Sequence, residues 1–430
     1  MDRLKAIRYL DRVIFAVIMG ICAVPTSRVP LGATFALNIE AYGILILTGL
    51  LLVRVTLGRS GLSPLPFAAM MAILILGWIT GSTAVGVSYG DMFQHVGNYS
   101  PFVLACLVLW EGTTISYRPV LIGFTLAAAV GSIAAICLFF FNPLALIRAF
   151  RDSSEAQTMI NWGRLPWQQA PLVPLALLSF LAPDIHPRRL GPVFYVASLA
   201  ILAGLVATFS RTLIAEVVLF LLVLAVVCLF LRRRAVLAKI PLLVGGLVAL
   251  AIVLVPLDPR VQRLFEYRVL GAKTEQSETV YSESDVAARQ RLYGHYSSRL
   301  SRNWVAGQGL GVPYTDKPGE FYSDITLVSF WLPFGLPGLV AFGLFLLTIV
   351  RRLKRFSARN QPLAAGIGIA IVAGLLASFN DDIWSHKSFV LFLTFLVASL
   401  QDPLPSGQTN TGPEAEAGPG SGNKPRALPV

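Results

Sequence analysis

The sequence predicts an all-α, polytopic membrane protein of about twelve transmembrane helices with one large extracytoplasmic loop, and three observations carry that prediction. Of its 430 residues 55% are hydrophobic and 13% charged, with a mean hydropathy of +0.68. A soluble chain of this size leaves too much of its surface in water to hide that apolar content. The apolar residues come in blocks of about 18–25, the length a helix needs to cross roughly 30 Å of hydrocarbon. The basic residues fall between the blocks, and mostly in alternate connections.

Taken in order, spans are predicted at 13–25, 34–53, 65–86, 101–116, 119–141, 171–185, 190–208, 213–231, 236–256, 325–350, 362–379 and 388–400. Arg3, Lys5, Arg8 and Arg12 precede the first. This resembles a signal peptide, but no small-residue cleavage site follows, so an uncleaved anchor is expected. With the N-terminus in the cytoplasm, the cytoplasmic connections hold Arg54, Arg59, Arg118, Arg188, Arg189, Arg232, Arg233, Arg234, Lys239, Arg351, Arg352, Lys354, Arg355 and Arg359. The short outer ones hold Arg28, Arg211 and Lys387. That asymmetry follows the positive-inside rule and puts both termini in the cytoplasm. It also accounts for the net charge of +12 without nucleic acid, because the basic residues form no continuous stripe. Cys22, Cys106, Cys137 and Cys228 lie within apolar blocks, where they serve as small hydrophobes.

The chain divides into a membrane bundle of about nine spans over 1–256, an extracytoplasmic loop over 257–324, further spans over 325–401, and a tail over 402–430. The tail is Pro-, Gly- and Ser-rich and is expected to be disordered. A first long outer connection, 142–170, carries Trp162 and Trp167, whose amphipathic rings suit the membrane interface. The second, 257–324, is too long for a passive connector. Within it 259–270 and 284–304 read as short helices, the latter with Ser284 at its N-cap and Asp285 in its first turn. Val286, Arg289, Tyr293, Tyr296, Leu300 and Trp304 recur at spacings of three and four, on one face of that helix. Arg291, His295, Arg299 and Arg302 fall largely elsewhere.

Several residues here could carry chemistry. Arg289 points with the aromatic residues, either toward a ligand or as a side chain snorkelling along apolar surface. Arg211 sits in the tight outer turn Thr208-Phe209-Ser210-Arg211-Thr212. An arginine at that depth meets an anion, or else anchors to lipid head groups. Gly307-Gln308-Gly309-Leu310-Gly311 can form a plain turn, or a cradle of amides for an anion. Glu40 and Glu216 lie inside spans, and Glu216 could partner Arg211. Asp381, Asp382 and His386 share an outer loop, as possible metal ligands or as a solvated surface.

A serine-arginine turn between two spans comes first, then a long outer loop with Arg-x-x-x-aromatic. A Gly-x-Gly-x-Gly turn and a span opening Gly335-Leu336-Pro337-Gly338-Leu339 follow. In this order the chain resembles the O-antigen ligase and O-antigen polymerase family, in motifs over about 205–350 and in topology throughout. The resemblance implies a GT-C-like fold in the bacterial inner membrane. The implied activity is transfer of an undecaprenyl-diphosphate-linked glycan to an acceptor hydroxyl on the periplasmic face, in lipopolysaccharide or polysaccharide biosynthesis. The acceptor would be lipid A-core or a growing glycan. The family's two arginines match Arg211 and Arg289, with Tyr293 at its aromatic position. Arg291, Tyr293, Gly309 and Gly311 are then expected to contact the donor. A departing diphosphate needs positive charge, and guanidinium groups provide it in planar, bidentate form. The expected enzyme is therefore a metal-independent, inverting glycosyltransferase with no cofactor. Eleven positions before Gly335, where ligases of the family place histidine, this chain has Asp324. A carboxylate there can still orient or deprotonate an acceptor hydroxyl, or else serve as an interfacial polar cap on the span that follows. That substitution favours a polymerase relative over a strict ligase.

A secondary transporter is the competing expectation, because twelve spans with both ends inside is a common transporter plan. Against it, the long loop is outside and follows the ninth span, and the two halves show no symmetry. A non-catalytic assembly component of an envelope pathway is the third.

Overall fold

The computed structural model describes residues 3–24, 29–30, 36–37, 39–57, 64–84, 86–141, 170–182, 188–208, 210–254, 285–314, 325–358, 360–378 and 387–400, with 185, 256, 259 and 262 singly. These residues form a helical membrane protein; a two-residue antiparallel pairing of Val29–Pro30 with Ala36–Leu37 is the sole sheet among them. The helices are α1 (Arg3–Ala23), α2 (Ile39–Thr56), α3 (Leu65–Ser82), α4 (Tyr89–Glu111), α5 (Tyr117–Phe141), α6 (Val173–Leu181), α7 (Gly191–Thr208), α8 (Arg211–Phe230), α9 (Arg234–Leu237), α10 (Ile240–Leu254), α11 (Asp285–Asn303), α12 (Thr326–Ser357), α13 (Gln361–Ala377) and α14 (Lys387–Ser399). Among the described residues six segments are long and apolar enough to cross a membrane: α3, α5, α7, α8 from Thr212, 234–253 spanning α9 and α10, and α12. Shorter apolar helices, including α6, α13 and α14, complete the bundle.

Exposed Leu45, Ile75, Ile79, Val130, Leu222, Leu229 and Ile252 stud the outer faces. Apolar surface on that scale belongs against hydrocarbon. By contrast, every described side chain of α6 and α14 is buried. A helix that is apolar all round and wrapped on every side forms the centre of such a bundle. Around it, α14 packs on α4 and α1, α6 on α5 and α7, and α8 on α13. Small residues let the helices close. Gly131 of α5 meets the Ala23 carbonyl, and Gly366 of α13 meets Leu178. Hydroxyls bridge others: Thr125 donates to the Ala176 carbonyl at 2.9 Å and Ser132 to that of Ala200 at 2.6 Å.

Two helices begin earlier than their apolar blocks suggest, α1 at Arg3 rather than near 13, and α4. α4 starts at Tyr89, not near 101, because Ser88 caps it. The Ser88 hydroxyl accepts from the Asp91 amide at 3.1 Å and the Asp91 carboxylate from the Ser88 amide at 3.3 Å. That capping box starts the helix ahead of its apolar stretch.

The contacts sort the helix ends into two sets. At one end, Arg54 of α2 pairs with Asp11 of α1 at 3.0 Å and with Glu111, the last residue of α4, at 3.3 Å. The start of α5 follows that end of α4 directly. Thr125 then ties α5 to α6, whose Phe180 packs on Tyr195 near the start of α7 and accepts from Lys239 just before α10. The starts of α5, α7 and α10 therefore lie toward the Arg54 end. The close of α7 and the start of α8 lie at the other, together with the end of α3 and the start of α4.

Candidate functional site

The site is assembled on a break in α12. Pro333 and Pro337 lack amide hydrogens, and Gly335 takes φ 65°, ψ −150°, a conformation open in practice to glycine alone. Within nine residues these features free three carbonyls and one amide from the helical ladder. The Ser329 carbonyl, orphaned by Pro333, accepts from the hydroxyls of Tyr99 and Tyr314, the latter at 3.1 Å. The Leu332 and Pro333 carbonyls accept from the amides of Gln308 at 2.8 Å and Gly309 at 3.1 Å. The freed Leu336 amide donates to the Val305 carbonyl at 3.0 Å. The kink is thus filled by the segment that follows α11, and every freed group named has a partner.

That segment fits because it is glycine. Gly307, Gly309 and Gly311 all have φ between 76° and 89°. A Cβ at Gly307 would strike the Pro333 carbonyl, and one at Gly309 the backbone of Gly81. Across the contact, Gly77 and Gly81 form a small-residue groove on α3 that receives Leu310, which is fully buried. The Leu310 amide donates to the Gly77 carbonyl at 2.8 Å, and that of Gly307 to Asn303 at 2.8 Å. Gly311 donates to His95 Nδ1 at 3.0 Å. All five amides of 307–311 are engaged inside the protein. Of the two roles open to this turn, the geometry carries the packed turn: the amides of Gly309 and Gly311, expected to face the donor, are not presented to an anion.

A buried polar chain runs on from there. His95 on α4 has Nε2 3.0 Å from the Tyr314 hydroxyl, which is 2.9 Å from that of Tyr99. Because His95 Nδ1 accepts an amide proton, the ring is neutral with its proton on Nε2, which donates to Tyr314. The two tyrosine hydroxyls then divide two protons among three contacts, one with each other and two with the Ser329 carbonyl. The network is satisfied throughout, the condition under which buried polar groups rigidify a fold.

α11 is fastened by this arrangement. Its Tyr296 is buried with Tyr314 and Leu332, and Leu300 packs beside them. The predicted helix and part of its face are present, with two differences. Tyr293 and Trp304 are 40% and 54% exposed, at the edges of the packed stripe. Arg299, expected to point elsewhere, is half-buried and donates to the Pro313 carbonyl, because the returning glycine segment passes under its side of the helix. Arg289 and Arg291 lie in the first two turns of α11. Arg211 is the first residue of α8, whose N-cap Ser210 accepts from the Leu213 amide at 3.4 Å. Glu216 is buried a little more than one turn further on.

The start of α8 and the docked α11 thus share the bundle end opposite Arg54. The side chains of Arg211, Arg289, Arg291 and Glu40 lie outside the described residues, as do Asp324, Ser284, Asp381, Asp382 and His386. His95, Tyr99 and Tyr314 escaped sequence reasoning, since Tyr314 lies 219 and 215 positions from the other two. The only sequence signal was their neighbour, the Pro-Phe-Gly-Leu-Pro kink. No protein-family model matches this chain, and no curated protein does.

Proposed function

We propose that the protein transfers a polyprenyl-diphosphate-linked glycan to an acceptor hydroxyl at the extracytoplasmic face of a bacterial inner membrane, using a twelve-span, GT-C-like bundle. The observation that carries this reading is the common location of the Arg211 turn and the docked α11 at one end of the bundle, two elements far apart in sequence. The opposite end collects Arg54, Arg118, Arg232, Arg233, Arg234 and Lys239, which supports assigning that end and both termini to the cytoplasm.

In this reading Arg211 and Arg289 hold the diphosphate, and Arg291 and Tyr293 contact the donor beside it. A cation at the first residue of α8 opposes the helix dipole unless an anion sits with it, and an anion there gains from both. Asp324, just before α12, takes the proton of the acceptor hydroxyl. Its oxygen attacks the anomeric carbon from the face opposite the diphosphate; the bond to the diphosphate oxygen breaks, and lipid diphosphate leaves with its charge matched by guanidinium groups. Configuration at the anomeric carbon inverts.

The test is reconstitution in nanodiscs with a polyprenyl-diphosphate glycan and a glycan acceptor, with and without EDTA. The expected result is glycan transfer with release of lipid diphosphate, undiminished by EDTA and reduced about 10²-fold or more by Arg211→Ala or Arg289→Ala. Full activity in both variants, or a product retaining the donor's configuration, overturns the proposal. Glycan crossing a proteoliposome membrane with no bond made would instead favour a transporter.

A further inference from the structure

We infer that His95 is a positioning residue for the transferase: through Gly311 and Tyr314 it sets where α11, and with it Arg289, sits on the bundle. The inference rests on the proposed function for its effect on rate, but not for its effect on structure. Tyr314 is buried in one cluster with Tyr296 of α11 and Leu332 of α12, while its hydroxyl meets His95 of α4 and the Ser329 carbonyl of α12. One side chain therefore joins α11 to both bundle helices, and His95 holds it from the α4 side. The same imidazole, by its other nitrogen, holds the Gly311 amide at the end of the turn that fills the α12 kink. His95 and Tyr314 are both fully buried, so the pair is sheltered from the site rather than part of it.

Leverage makes this consequential. Arg289 lies seven residues beyond Tyr296, about 10 Å along the helix axis at 1.5 Å per residue. A tilt of about 6° at the Tyr296 contact moves Arg289 by about 1 Å, enough to lower the rate of a positioned reaction by as much as about 100-fold.

The ring's two nitrogens can be separated by substitution. Asparagine can present an oxygen near the Nδ1 position and keep the Gly311 acceptor; leucine keeps neither contact. The full chain, with the exposed Cys137 replaced by alanine, is spin-labelled at Ser297→Cys on α11 and Leu376→Cys near the end of α13. The distance distribution between labels is then measured by pulsed electron spin resonance in nanodiscs. A narrow distribution is expected for the parent, a broad or shifted one for His95→Leu and for Tyr314→Phe, and a partly restored one for His95→Asn. The Tyr314→Phe variant removes a single oxygen atom and so remains informative if His95→Leu does not fold. In the transfer assay, kcat is expected to fall tenfold or more in His95→Leu and Tyr314→Phe under conditions where both remain folded, with partial recovery in His95→Asn. Unchanged narrow distributions in both deleterious variants overturn the inference, as does unaltered kcat alongside a displaced α11. If the parent transfers no glycan but the distances behave as expected, the transferase reading fails and the docking role stands.

Discussion

Replacing Arg54 by leucine should be among the most damaging single changes in this protein, although Arg54 lies at the opposite end of the bundle from the candidate site. Its guanidinium is 2% exposed and touches two carboxylates, Asp11 at 3.0 Å and Glu111 at 3.3 Å, themselves 2% and 3% exposed. Asp11 also accepts from the Thr114 amide at 2.6 Å. The triad carries one positive and two negative charges. Deleting the cation takes from two buried carboxylates the charge partner they share, a loss of about 3–5 kcal/mol for breaking a buried pair. Asp11→Asn is milder: it leaves a one-to-one pair, but its single oxygen can serve Thr114 or Arg54 and not both, so it should cost about 1–3 kcal/mol for the donor left without its acceptor. Adding Asp11→Asn and Glu111→Gln to Arg54→Leu removes both carboxylate charges and should restore most of the loss. Reversible unfolding in mixed micelles, followed by far-UV circular dichroism against SDS mole fraction, measures all four proteins. An Arg54→Leu variant as stable as wild type, or a triple variant no better than the single one, would refute the electrostatic account.

Three further outcomes follow from the packing. Gly335→Ala should cost about 1–3 kcal/mol from backbone strain alone, with a further loss because its methyl group meets the Val305 carbonyl; the same unfolding assay reads it, and faster proteolysis within α11 should accompany it. Ser210→Ala removes the cap of α8 and should cost about 0.5–2 kcal/mol, read as a lower unfolding midpoint. Thr125→Val deletes a hydroxyl that bridges α5 to α6, and should cost only about 0.6 kcal/mol, because in lipid the unfolded helices find other partners.

How much of this was legible in the sequence depended on the range of the interaction involved. Hydropathy is a local property, and it located most of the described helices within a few residues. α1 and α4 were exceptions, because their first turns are polar; for α4 only the Ser88–Asp91 box marks the start. The positive-inside pattern placed Arg54 in a connection, yet the structure buries it. The reason is that its two carboxylate partners lie 43 and 57 residues away, and no periodicity links them. The glycine turn was visible as a motif but not its meaning, which rests on carbonyls released by two prolines some twenty-five residues downstream. Arg211 and Arg289 could be singled out by charge and depth, whereas His95 and Tyr314 could not, since a buried network has no signature until the chain is folded.

The enclosure of α14 has a bearing on how the protein is made. A helix that fills the middle of the bundle and rests on α1 and α4 is synthesised roughly 280 residues after α4 ends. At ordinary elongation rates the earlier helices wait roughly 15–55 s for it. Until then the surfaces of α1 and α5 that will face Phe395 and Phe392 must be covered by lipid or by the insertion machinery. Biogenesis intermediates stalled before residue 387 should therefore be open at their centre, and captured by membrane quality control more readily than any stalled after residue 400.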